Sequence, residues 1–80
     1  MSYYNHLKQL SENTCKQAKI GSRVVYISRL DALPYYGAIG TVIFVKRYEL
    51  KVLFDDINIR RAVDLFGVPK FYPGCDLKVL

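Results

Sequence analysis

The sequence predicts a mainly β fold, an N-terminal α-helix followed by a five-stranded antiparallel barrel. Three observations predict it. Apolar or small residues recur at steps of three and four between Tyr3 and Ala18; from Ile20 onward the period falls to two; and the alternating segments are rich in β-branched and aromatic residues, with glycines and prolines between them. A chain of 80 residues can build one hydrophobic core and not a second. Residues 1–80 are therefore read as a single domain, with the helix over 1–19 and the barrel over 20–80.

In the helix, the stripe runs Tyr3, Leu7, Leu10, Thr14 and Ala18, widened by Tyr4, while Asn5, Lys8, Glu12 and Lys16 fall on other faces. Ser2 is placed as the N-cap, Lys16 and Lys19 suit the negative end of the helix dipole, and Gly21 stops the helix. Strands are expected at Val24–Ile27, Thr41–Val45 and Leu50–Phe54. A long loop from Ser28 to Gly40, marked by Pro34, Gly37 and Gly40, joins the first two, and Lys46 to Glu49 forms a hairpin turn. Arg61 to Phe66 reads equally as a strand or a short helix. Pro69 to Asp76, with two prolines and a glycine, is expected to end in a 3₁₀ turn, and Leu77 to Leu80 to close the sheet.

Strict alternation places Val24, Tyr26, Val42, Phe44, Val52, Phe54, Leu77 and Val79 inside. It leaves Val25, Ile27, Ile43, Val45 and Leu53 on the opposite face, where a half-solvated antiparallel sheet is normally polar. The helix stripe is the expected cover, with a homodimer or another partner as the alternative.

Four segments carry a family resemblance: Lys19-Ile20-Gly21-Ser22-Arg23-Val24, Gly37-Ala38-Ile39-Gly40-Thr41-Val42, Val52-Leu53-Phe54-Asp55-Asp56 and Asp76-Leu77-Lys78-Val79-Leu80. Together they resemble a KOW-type domain of the wider SH3-like small barrels, over all of the chain but the helix. Gly21, Gly37 and Gly40 would supply backbone freedom at the turns, and Asp55 would bond its own backbone at a strand end. The resemblance implies contact with RNA, DNA or another protein. The N-terminal helix and the long Asn58–Tyr72 insertion depart from the simple KOW pattern.

Residues that could support catalysis are sparse. The one histidine, His6, sits on the polar side of the helix, and Cys15, Cys75 and His6 lack the paired short spacings that hold zinc. Asp55 and Asp56, being adjacent, point to opposite faces of a strand and cannot converge on one substrate. Gly37 to Gly40 is too short for a phosphate loop and lacks its lysine. The expectation is a non-enzymatic protein without metal or cofactor. The start of the chain shows no signal-like apolar run, and no stretch is long enough to span a membrane, so a cytoplasmic location, no membrane partner and two reduced, inert thiols are expected.

Binding has more support. Twelve Lys and Arg stand against seven Asp and Glu, a net charge of +5, and that balance favours polyanions or acidic protein surfaces. Arg23 and Arg29 flank the first strand, Lys46 and Arg47 occupy the hairpin tip, and Arg60 and Arg61 form a second basic pair. Tyr35 and Tyr36 lie in the long loop and Tyr48 beside the hairpin cations. Cations interleaved with aromatic rings suit phosphates and stacked bases, so these nine residues are the candidate nucleic-acid surface, for RNA or DNA; the KOW-type resemblance implies a nucleic-acid-binding or transcription-associated module. The alternative is a protein-interaction module, an adaptor or inhibitor of the kind phages encode, using Tyr35 and Tyr36 as anchors.

Overall fold

The computed structural model describes residues 3–28 and 35–80, with the side chains of Tyr3 and Tyr4 outside that set. Helix α1 spans Tyr3–Gln17. It is followed by β1 (Arg23–Tyr26), β2 (Ile39–Val45), β3 (Glu49–Phe54), helix α2 (Ile57–Val63), β4 (Phe71–Pro73), a 3₁₀ turn (Gly74–Asp76) and β5 (Leu77–Val79). The strands form one antiparallel sheet in the order β4-β3-β2-β1-β5, so the last strand returns to pair with the first. Of the ambiguous stretch Arg61–Phe66, only Arg61–Val63 are helical, as the end of α2, which starts earlier because Asp56 caps it by accepting bonds from the N–H groups of Asn58 and Ile59; Leu65 and Phe66 lie in the bridge and turn that follow. Asp56, and not Asp55, is thus the aspartate that bonds backbone. The expected cap Ser2, the stripe side chains Tyr3 and Tyr4, and Arg29 lie outside the described residues.

Val24, Tyr26, Val42, Val52, Phe54 and Leu77 are buried, as alternation requires, with Leu50, Val63 and Tyr72 added. Val79 packs on this core half-buried. Tyr26, Phe54 and Tyr72 meet edge-to-face, their centroids 5.6–6.3 Å apart, each contact contributing about 0.5–1.5 kcal/mol beyond area burial.

Phe44 departs from this pattern and stands half-exposed on the outer face. Val42 pairs with Val52 but Phe44 pairs with Lys51, so Ile43 is an extra residue bulged out of the ladder. One inserted residue reverses the facing of every side chain beyond it. Phe44 therefore turns outward and Val45, opposite Leu50, turns in against the core.

The helix stripe is also corrected. Leu10 is exposed, and Ser11, Cys15 and Ala18 are the buried positions. Instead of covering the outer sheet face, α1 packs on the 3₁₀ turn and on β3 and β5, and Cys15 and Ala18 join the interior core. Small residues permit this. A Cβ on Gly74 would sit 3.0 Å from both the Cα and the carbonyl carbon of Ser11 and closer still to its oxygen. The Ser11 hydroxyl, from a residue only 3% exposed, accepts the Cys75 N–H at 3.0 Å.

Candidate functional site

The bulge at Ile43 creates a row of side chains across the outer face: Phe44 on β2, Lys51 on β3 and Phe71 on β4, each opposite the next. Two strand spacings are about 9.6 Å, yet the two phenyl centroids are 6.0 Å apart at an interplanar angle of 90°. The rings therefore lean together over the stem of Lys51. The Lys51 ammonium lies 5.3 Å from the Phe71 centroid and the Lys46 ammonium 4.0 Å from it. Among the described residues neither lysine has a carboxylate partner. The result is an aromatic pair under two available cations.

Two residues further along the outer face of β3, roughly 7 Å away at the strand rise, Leu53 floors an open hollow of about 440 Å³. Arg60 and Arg61 of α2 line it together with Gly67 and Pro69. Arg60 is held in place because its Nε donates to the carbonyl of Phe54, while Arg61 is exposed. Asp64 also borders the hollow, with its Oδ1 buried. Two guanidinium groups against one carboxylate leave the wall positive.

The nine residues singled out from sequence distribute unevenly. Lys46 belongs to the aromatic pair, and Arg60 and Arg61 to the hollow. Arg47 turns toward α1, where its Nε donates to Glu12 at 2.7 Å and its guanidinium stacks 5.1 Å from the Tyr48 ring. Lys8 of α1 lies 5.1 Å from the same ring, and Lys16 reaches Glu12 at 3.4 Å. Arg47 and Tyr48 thus fasten the helix to the β2–β3 hairpin. The hydrogen bond from Arg47 holds the Glu12 carboxyl below the ordinary carboxylate range. Arg23 is paired with Asp55 through both of its terminal nitrogens and donates to Thr41 Oγ1 at 2.8 Å, which lowers the Asp55 pKa. Tyr35 packs half-buried against the core, and Tyr36 is exposed.

Phe44, Lys51 and Phe71 were missed by sequence reasoning. One signal could have found Phe44. If Leu50 and Val52 both face inward, and the hairpin pairs Val45 with Leu50 while Val42 pairs with Val52, three steps on β2 must match two on β3, which requires a bulge. Phe71 sits in a proline-rich stretch whose short strand has no periodicity to read.

Among the described residues no group of His, Cys, Asp and Glu could hold a metal ion, and no helix is long and apolar enough to cross a membrane. Cys15 and Cys75 are free thiols. Burial pushes the Cys15 thiol up to about 11, so it carries little of the thiolate a nucleophile needs at neutral pH. Comparison with known proteins returned no match among family models, curated proteins or solved structures.

Proposed function

We propose that this chain is a non-enzymatic, single-stranded nucleic-acid-binding protein built as an SH3-like, KOW-type small barrel. The carrying observation is the exposed Phe44–Phe71 pair with Lys46 and Lys51 above it, next to the arginine-walled hollow. The sheet is open, with β4 and β5 at its edges; the barrel reading is supported by the return of β5 to pair with β1 after the β1–β4 meander and by the 3₁₀ turn between β4 and β5.

Bases of a single strand expose faces that can stack on Phe44 and Phe71, whereas those inside a duplex are already stacked, so the aromatic pair favours an unpaired strand, RNA or DNA. Lys46, Lys51, Arg60 and Arg61 lie where phosphates would follow the β3 outer face. Four neutralised phosphates give a slope of about −3 in log affinity against log salt for a single strand. Arg47 and Arg23, engaged with Glu12 and Asp55, contribute less than their sequence positions imply.

Fluorescence anisotropy of 15-nucleotide RNA and DNA strands, titrated with protein at several salt concentrations, tests the reading. The expected result is roughly micromolar binding with that slope, weakened at least tenfold by Phe44→Ala with Phe71→Ala, because each lost base stack costs about 1–3 kcal/mol. Flat curves up to about 100 μM protein, beyond the usual range of non-specific binding, would reject it and favour a protein partner or a second copy of the chain.

A further inference from the structure

The segment that follows α2 breaks a local rule with no return inside the fold. Leu65 and Val68 exchange both backbone hydrogen bonds, at 3.0 and 2.8 Å, closing a two-residue turn. Its central residues have positive φ, 52° at Phe66 and 78° at Gly67. Such a turn calls for Asn-Gly or Asp-Gly, because a left-handed backbone crowds the Cβ of other residues. Phenylalanine has no short polar group to compensate, and among the described residues it is the single non-glycine with positive φ. Its ring adds nothing to the core, since Phe66 is fully exposed, and Leu65, Val68 and Ile57 around it are more than half exposed. A strained backbone carrying a solvated aromatic ring points to a role outside the fold.

Location indicates what the ring meets. Gly67, next in the turn, shares the hollow with Arg60 and Arg61. The turn that carries the ring therefore borders a positively charged depression, and the Phe44–Phe71 pair lies opposite Lys51, two residues along β3 from Leu53 of that depression. An exposed apolar ring on a turn that borders two guanidinium groups offers a nucleotide both kinds of contact, a face for its flat base and cations for its phosphate.

We propose that the Leu65–Val68 turn is a stacking wedge, which inserts Phe66 against an unpaired base while Arg60 and Arg61 hold the adjoining phosphate. This rests on the nucleic-acid reading above and adds a second stacking point to it. It also explains why an apolar turn is left exposed among the described residues.

The chain has no tryptophan, so Phe66→Trp creates a single emission reporter at the turn tip. Titration with 15-nucleotide poly-dT and poly-U should quench that emission over the concentration range in which anisotropy reports binding. Phe66→Asn supplies the residue the turn prefers and removes the ring. It should melt at or above the wild-type temperature while binding about 5- to 150-fold more weakly, the loss of one base stack. Binding with unquenched tryptophan, or wild-type affinity in Phe66→Asn, overturns the wedge and leaves the face reading standing. No binding by any variant removes both. Quenching by vesicles containing 30% phosphatidylserine but not by oligonucleotides would reassign the turn to a lipid surface and overturn the proposal.

Discussion

Substituting Gly74 by alanine tests how the helix is seated. The added Cβ would lie 3.0 Å from the Ser11 Cα and carbonyl carbon, where carbon atoms normally rest about 3.5–4.0 Å apart. The obstacle is backbone, so no rotamer change relieves it, and α1 must withdraw from the 3₁₀ turn by about 0.5–1 Å. Such overpacking costs about 1–3 kcal/mol. Withdrawal also strains the Cys75-to-Ser11 hydrogen bond, worth about 1 kcal/mol, so the expected loss is about 2–4 kcal/mol. A domain of this size is stable by roughly 4–12 kcal/mol, and its melting temperature should fall by roughly 10–25 °C. Circular dichroism melts with parallel urea titrations measure this. Gly37→Ala is the control: its φ of 87° is left-handed but, its chain neighbours apart, no atom of the described residues lies within 4 Å of the added Cβ, so it should lose only about 1–2 kcal/mol. If Gly74→Ala stayed within about 0.5 kcal/mol of wild type, the range of ordinary surface changes, the close helix approach would be refuted.

Two further outcomes follow from the core and the helix clamp. The hydroxyl of Tyr72 is buried with no hydrogen-bond partner among the described residues, and burial, then the Asp64 charge, raises its pKa. Tyr72→Phe keeps the ring contacts and removes an unsatisfied group, so urea unfolding should show unchanged or higher stability; a loss above about 1 kcal/mol would contradict that account. Glu12 has its pKa lowered below the ordinary 4.5 by Arg47, so the clamp contributes stability above that ordinary value and loses it as pH falls through the lower, folded value. The melting temperatures of wild type and Glu12→Gln should therefore converge between about pH 5 and pH 3, and a constant difference across that range would show that the ion pair does not couple helix and hairpin.

Much of the fold is legible in the chain because it is written in short-range periodicity. The change from steps of three and four to steps of two locates α1 and the first three strands, and alternation identifies Val24, Tyr26, Val42, Val52, Phe54 and Leu77 as inward. Of the candidate site, Lys46, Arg60 and Arg61 are visible as basic positions. Their setting is not. The aromatic pair depends on Phe44 facing out and on a three-residue strand bringing Phe71 beside it, and the splitting of Lys46 from Arg47 depends on where Glu12 of the helix arrives.

By itself, the sequence determined α1, the first three strands and the closing strand, and which positions have the parity to face a core, since backbone preference and side-chain period act between near neighbours; α2 and β4 were not legible in it. Tertiary structure decided the rest. Whether Ile43 continues β2 or bulges is settled by pairing with β3, and that choice reverses Phe44 and Val45 together. Which stripe of α1 is buried is settled by Gly74 and Ser11, 63 positions apart, because two small residues let backbones approach where the larger Leu10 would hold them off. Both decisions turn on contacts between distant parts of the chain, which no local pattern encodes.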